Sequence, residues 1–169
     1  MQIFRHIAND IKPLDTQATV ADVFGLMEEL KCSHLPVLHE GKYIGVICED
    51  DLLDIDNDED SLNQHLNILK PYSALATDQL FNAIRIIGEG KLSLLPVLNE
   101  EGKYIGYISP QEVLQDLGRD LTYVERGSVL VLEVHIRDYH LSQVAQIVES
   151  EDARIIGLHV KSDATEFLK

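Results

Sequence analysis

The sequence predicts a mixed α/β fold of the α+β type, built from one duplicated unit and a C-terminal strand–helix–strand (βαβ) segment. Two motifs occur twice in the same order: Leu-Pro-Val-Leu at residues 35–38 and 95–98, and Gly-Lys-Tyr-Ile-Gly at residues 41–45 and 102–106. Apolar residues with helical spacing precede each Leu-Pro-Val-Leu motif. Because a duplicated unit fixes the architecture, we expect two similar halves related by a pseudo-twofold axis.

The first element of each unit is predicted to be an amphipathic helix. Its apolar residues recur every three or four positions, at Val20, Val23, Phe24, Met27 and Leu30 in the first copy and Leu80, Ala83, Ile84 and Ile87 in the second. Thr19 is the expected N-cap of the first helix, and Thr77 or Asp78 that of the second, because their oxygens can accept free N–H groups of a first turn. Gly90 offers an end for the second helix.

Each helix is followed by two short β-rich runs joined by a polar turn, at residues 39–42 and 99–103, which predicts a β-hairpin. The second strand of each hairpin passes into another helix, predicted at residues 49–53 and 110–114. Pro110 suits a first helical turn, where its missing N–H is not needed. Each unit is therefore predicted to run helix, strand, strand, helix.

A connector is predicted at residues 119–128, where the composition changes. After it, residues 129–136 are β-rich, residues 141–148 have helical spacing, and residues 155–160 alternate between apolar and polar. The predicted order is strand, helix, strand. An exposed edge of such a segment is a pairing surface, so we expect association with a second copy of the chain.

The composition argues against several classes of protein. A net charge of −15, with only 14 Lys and Arg, disfavours binding to nucleic acid and to anionic membranes. No stretch approaches the roughly 20 apolar residues of a membrane span, and the N-terminus lacks the apolar run of a secretory signal. Cys32 and Cys48 are not in a Cys-x-x-Cys arrangement, which favours reduced thiols. We expect a cytoplasmic protein.

The order of these motifs and elements resembles a tandem pair of cystathionine β-synthase (CBS) domains, the first at residues 1–58 and the second at 59–118. Residues 119–128 are the linker, and residues 129–169 are similar to half of an ACT domain, a small ferredoxin-like fold. The whole order is similar to acetoin-utilisation-type CBS–ACT regulatory proteins. An ACT domain is longer than this segment, so the segment is truncated, is completed by a partner chain, or is a different fold. The resemblance to CBS pairs also implies a homodimer.

The resemblance implies a regulatory role, with clefts that hold an adenosine-containing ligand such as AMP, ATP or S-adenosylmethionine. In the family pattern an aspartate at the start of the last helix accepts the ribose diol, and a hydroxyl three residues earlier contacts sugar or phosphate. Asp51 matches the aspartate, but Cys48 replaces the hydroxyl residue. Ser109 keeps the hydroxyl in the second repeat, whereas Glu112 replaces the aspartate. Alternatively, the two acids only stabilise the first turns of their helices.

Phosphate groups would require basic partners, for which Lys42, Arg85, Lys91 and Lys103 are candidates because they lie near the motifs. An adenosine ligand with few negative charges is therefore easier to accommodate.

Two alternative functions remain: a dimerisation module whose clefts bind nothing, and a domain that responds to a divalent cation through Asp54, Asp56 and Asp58. Glu59 stands where an EF-hand requires glycine and His65 where it requires glutamate, so we expect a solvated acidic linker and assign no metal ligands. The histidines are dispersed, and we find neither a nucleophile–base–acid set nor a phosphate-binding glycine loop. The chain is predicted not to be an enzyme.

Overall fold

A computed structural model of the chain describes residues 3–119, 127–161 and 167–168. The chain divides into two compact units between Gln115 and Asp116. The first unit holds both copies of the duplicated motif, and the second holds the C-terminal segment.

The first repeat consists of three strands and two helices. Its elements are β1 (Leu14–Asp15), α1 (Val20–Leu30), β2 (His34–His39), β3 (Lys42–Cys48) and α2 (Glu49–Leu52). Strand β2 lies in the middle of the sheet, parallel to β1 and antiparallel to β3. The predicted helix, hairpin and second helix are confirmed. The two-residue strand β1 adds to the predicted elements.

The second repeat has the same order and the same sheet topology. Its elements are β4 (Ala74–Leu75), α3 (Leu80–Gly90), β5 (Leu95–Leu98), β6 (Tyr104–Ile108) and α4 (Pro110–Arg119). Short 3-10 turns lie at Ile3–His6, Leu62–Gln64 and Leu66–Ile68. Helix α3 ends at Gly90 as predicted, although Lys91 takes the left-handed conformation, with φ 48°.

The N-caps agree with the sequence in the first repeat and differ in the second. Thr19 caps α1: the Asp22 N–H donates to Thr19 Oγ1 at 3.1 Å, and the Thr19 N–H donates to Asp22 Oδ2 at 3.0 Å. The prediction of Thr77 or Asp78 for α3 is wrong, because the N-cap is Gln79. The Asp78 carboxylate instead accepts hydrogen bonds from the preceding turn and from a side chain within α3.

Both repeats contribute to one hydrophobic core. In the first repeat, α1, the sheet and α2 supply side chains with no exposed surface, namely Val20, Val23, Leu35, Val37, Ile47 and Leu52. Leu94 and Tyr107 of the second repeat belong to the same cluster. Full burial of such a side chain contributes about 1.5–3 kcal/mol, and separating the repeats would expose this surface. The pair, and not the single repeat, is therefore the stable unit.

The segment before the first strand of each repeat crosses to the other repeat and extends its sheet. Lys70, which precedes β4, exchanges two backbone hydrogen bonds of 2.9 Å with Val46 of β3. Ala8, which precedes β1, exchanges two of 2.9 Å with Tyr107 of β6. This reciprocal pairing is what a pseudo-twofold relation between the repeats requires.

A glycine in each repeated motif permits the crossing. Gly45 in β3 and Gly106 in β6 have φ values of 152° and 148°. A Cβ on Gly45 would lie 2.9 Å from the carbonyl oxygen of Lys70, and a Cβ on Gly106 would collide with the carbonyl of Ala8. The motif therefore ends in glycine because another backbone passes against it.

The second unit contains one helix and one short strand pair in the residues that the structure describes. Helix α5 (Leu141–Ser150) confirms the predicted helix, and β7 (Val134–His135) pairs antiparallel with β8 (Phe167–Leu168). The strand predicted at 129–136 shrinks to β7, and the strand predicted at 155–160 is wrong. An alternating apolar pattern forms a strand only where it can pair with a neighbouring strand and bury one face in a core. Val129, in the first of these segments, is instead 91% exposed. Most of the predicted linker lies outside the described residues.

Candidate functional site

Two predicted site residues, Cys48 and Asp51, lie at the junction between β3 and α2. Cys48 ends the strand and is the N-cap of α2, but its side chain makes no capping hydrogen bond within the described chain. The Asp51 side chain is 29% exposed, and its Oδ1 lies 3.3 Å from Nζ of Lys70. The carboxylate is therefore accessible to an external donor.

Lys70 is a site residue that the sequence did not indicate. Its backbone is fixed by the exchange with Val46, while its side chain is 47% exposed. Of the four basic residues favoured by proximity to the motifs, Arg85 instead pairs with Glu89 at 2.8 Å. Lys70 meets Asp51 only because the segment before β4 crosses to the first repeat, and a crossing of this kind has no local sequence signal.

An open depression of about 380 Å³ lies beside Asp51. This volume falls in the range of small-molecule sites. Its lining is acidic, with Asp54, Asp56 and Asp60 next to Asp51, and Asp60 Oδ2 lies 3.1 Å from Nε2 of His65. Phosphate groups placed here would meet charges of the same sign.

The acidic segment at residues 54–60 has mostly exposed carboxylates, as expected of the predicted solvated linker, but its backbone is bonded to the first repeat. The carbonyl oxygens of Asp58 and Asp60 accept the Ala21 and Val20 N–H groups of α1 at 2.9 and 3.0 Å. These are free donors of a first helical turn, so the segment completes the helix end. Across the described residues, no group of three or more His, Cys, Asp or Glu is arranged to hold a metal ion.

The other two predicted residues, Ser109 and Glu112, form a capping box at the start of α4. The Glu112 N–H donates to Ser109 Oγ at 3.2 Å. The N–H and Oγ of Ser109 donate to Glu112 Oε2 at 3.0 and 3.1 Å. One carboxylate oxygen therefore serves its own helix. This arrangement favours the structural alternative for both residues.

Tyr107 occupies this second junction, and its hydroxyl donates to Asp10 Oδ1 at 2.9 Å. Burial raises the pKa of Tyr107, and the hydrogen bond to Asp10 raises it further. The phenol therefore remains a protonated donor at neutral pH. Ala8 lies here at the position that Lys70 holds in the first junction.

The structure thus brings the predicted residues together in two pairs, one in each repeat. A larger groove of about 520 Å³ lies between α1 and Ser93, but its lining includes none of the four predicted residues. We therefore locate the candidate site beside Asp51.

A buried histidine joins the two repeats. His34 is 7% exposed, and its Nδ1 accepts the Ser93 N–H at 3.2 Å and lies 3.1 Å from Ser33 Oγ. Because a backbone N–H can only donate, we assign the ring proton to Nε2. Burial lowers the pKa of His34, and the neighbouring carboxylates of α2 oppose this shift in part. The contact between the repeats therefore uses the neutral ring.

The described part of the chain contains no helix that is long and apolar enough to cross a membrane.

The fold defines a duplicated module, and comparison with known families assigns it. The model of the CBS domain matches residues 5–58 and 68–119. These matches cover more than half of the chain, which therefore belongs to the CBS domain family. CBS domain pairs are regulatory modules, and the tandem pair predicted from the sequence is confirmed.

Similar proteins share this architecture. A protein of Methanocaldococcus jannaschii is 23% identical over 155 residues, which are 92% of this chain and 56% of that protein, so the chain spans about half of its relative. A CBS domain pair/ACT domain protein of Thermotoga maritima has a TM-score of 0.63 at 23% identity, covering 72% of this chain and 99% of that one. Its fold matches the mixed α/β architecture described above.

Two solved structures with similar folds contain adenine nucleotides. CBSX2 in complex with AMP has a TM-score of 0.56 at 23% identity, covering 69% of this chain and 95% of that one. The CBS domain of a bacterial CNNM/CorC family Mg²⁺ transporter in complex with ATP also has a TM-score of 0.56, at 19% identity, covering 69% and 87%. At these identities the similarity shows a common fold.

Proposed function

We propose that this chain senses an adenosine-containing ligand at the β3–α2 junction, where Asp51 accepts the ribose diol and Cys48 contacts the sugar. The observation that carries the proposal is the partly exposed Asp51 carboxylate beside the 380 Å³ depression. A carboxylate can accept both diol hydroxyls in charge-assisted hydrogen bonds. Two structures of similar fold hold AMP and ATP, which supports this ligand class.

We assign one ligand to each chain. Ser109 and Glu112 occupy the equivalent positions of the second junction, but their side chains are bonded to each other. A ligand there would have to break the cap of α4, at a cost of about 1 kcal/mol. The second junction is therefore the weaker site.

The charge of the depression ranks the three candidate ligands. At a separation of about 8 Å, each carboxylate–phosphate charge pair costs roughly 0.5–2 kcal/mol. Asp54, Asp56 and Asp60 line the depression and supply three such pairs, which the Lys70 cation beside Asp51 offsets only in part. We expect S-adenosylmethionine, whose sulfonium and amino groups are positive, to bind better than AMP, and AMP better than ATP.

A thermal-shift assay tests this function. At a ligand concentration of 100 Kd the folded state gains about 2.7 kcal/mol, which raises Tm by about 5–10 °C for a chain of this size. Asp51→Asn should reduce the shift by about half or more, because it removes the charged acceptor. Asp50→Asn is the matched control, since it removes the same charge from the same turn, and it should keep the shift. A flat response of the wild type to all three ligands would reject the proposal.

A homodimeric interaction module is the second candidate, and the surface of the second unit favours it. Val129, Leu130 and Val131 are 91%, 69% and 74% exposed, and extended apolar segments of this kind pair with other strands. We propose that a second copy covers them, as in an ACT-like association of acetoin-utilisation type. Light scattering should give twice the 19.0 kDa chain mass, and Val129→Lys with Val131→Lys should reduce it to the monomer. A monomeric wild type would contradict this candidate.

Cys32 and Cys48 are both free thiols. Reduced thiols are typical of a reducing compartment, which supports the proposal of a cytoplasmic location.

A further inference from the structure

The backbone of Lys70 is fixed by hydrogen bonds, whereas its side chain is exposed. Its N–H and carbonyl are both bonded to Val46 at 2.9 Å, so its Cα cannot move without breaking the crossing between the repeats. Its ammonium group lies 3.3 Å from Asp51 Oδ1, and its side chain is 47% exposed. The ion pair can therefore open and close while the backbone stays in place.

The two junctions differ at this position. The first junction has Lys70 facing an open carboxylate at Asp51, whereas the second has Ala8 and a carboxylate, Glu112, that is bonded to its own helix. The lysine thus occurs at the junction whose acid is available to a ligand. If Lys70 and Asp51 formed only an ordinary surface ion pair, its occurrence at the junction with the accessible carboxylate would be a coincidence.

A ribose diol and the Lys70 ammonium would both bind the Asp51 carboxylate. A ribose diol bound side-on to Asp51 places one hydroxyl on each carboxylate oxygen, and one of these oxygens already faces the Lys70 ammonium. A ligand without phosphate competes with this ammonium for Oδ1 and offers it no new partner. Phosphate would give the ammonium a new partner, but Asp54 and Asp56 line the depression beside Asp51 and repel phosphate.

We propose that Lys70 is a specificity-determining residue of the nucleoside site: it occupies Asp51 in the free protein, and neutral or cationic nucleosides bind by displacing it. This inference rests on the proposed adenosine function. The free energy of the Lys70–Asp51 ion pair opposes ligand binding. The Lys70 ammonium also repels the positive groups of S-adenosylmethionine, whereas adenosine carries no charge.

Calorimetric titration of the full chain with adenosine, S-adenosylmethionine and AMP tests this inference. Lys70→Ala should raise the affinity for adenosine by about two- to five-fold, the range of an exposed ion pair, and raise it more for S-adenosylmethionine. The difference in affinity between Lys70→Ala and the wild type should shrink as the salt concentration rises, because salt screens the Lys70–Asp51 ion pair of the wild type. Lys70→Arg should keep the wild-type affinity, and Lys12→Ala, which removes an exposed lysine that does not line the depression, should have no effect.

Three results would overturn this role. An unchanged nucleoside affinity in Lys70→Ala would show that the ion pair does not compete with the ligand. A lower affinity for AMP with no gain for adenosine would make Lys70 a phosphate ligand. If the wild type binds none of the three compounds, the proposed function fails as well. Binding that Asp51→Asn weakens and Lys70→Ala leaves unchanged would remove this inference alone.

Discussion

Replacing Gly45 with alanine tests whether the two repeats depend on each other through the crossing segments. The new Cβ would lie 2.9 Å from the Lys70 carbonyl oxygen and 3.1 Å from Leu69 Cβ, at a φ of 152°. The backbone conformation costs about 1–3 kcal/mol for an L-residue. Moving the crossing segment away would weaken two hydrogen bonds between Val46 and Lys70, worth about 1 kcal/mol each. We expect a total loss of about 2–4 kcal/mol in the free energy of unfolding.

Urea unfolding followed by circular dichroism measures this loss. Gly88→Ala is the matched control, because Gly88 lies within α3 and a Cβ there meets nothing within 4 Å. The control should be stabilised by about 0.5–1 kcal/mol, since alanine favours a helix. Gly106→Ala should behave like Gly45→Ala, because its Cβ would meet Ala8. If Gly45→Ala is as stable as Gly88→Ala, the argument from backbone approach is refuted.

Three further predictions concern stability. The lowered pKa of His34 means that its contribution is complete above the ordinary value of about 6.5 and is lost as the pH falls below it; urea midpoints at pH 7.5 and 5.5 should therefore differ less in His34→Leu than in the wild type. Ser109→Ala should cost about 1 kcal/mol in urea unfolding yet leave the ligand-induced Tm shift unchanged; a smaller shift would place the ligand at α4. Arg85→Ala should cost at most about 0.5 kcal/mol, because its pair with Glu89 is exposed, and a larger loss would show that it packs.

The elements that the sequence predicted correctly are those whose signals are local. Helices α1 and α3 bury one face, so their apolar spacing identified them, and the paired glycine motifs identified the hairpins. The two-residue strands β1 and β4 are too short for any period. Asp78 resembled an N-cap by type, but its carboxylate bonds the preceding turn instead. Residues 155–160 alternate between apolar and polar, but none of them is buried or in a strand, so this prediction is wrong.

The candidate site was predictable only in part. Asp51 followed from its motif position, and its role in ligand binding remains a prediction. The two acids have different partners: Glu112 bonds back to Ser109, whereas Asp51 faces Lys70. Lys70 meets Asp51 only through the crossing of two repeats. Contacts of this kind follow from tertiary structure, which a single sequence does not display.

The central claim is that one adenosine-type ligand binds each chain, at Asp51. Calorimetric titration of the wild type and of Asp51→Asn with S-adenosylmethionine measures both stoichiometry and affinity. We expect one ligand per chain in the wild type, and a loss of affinity of about 10- to 100-fold in the variant, the worth of hydrogen bonds to a charged group. Two ligands per chain, or equal affinity in the variant, would contradict the claim.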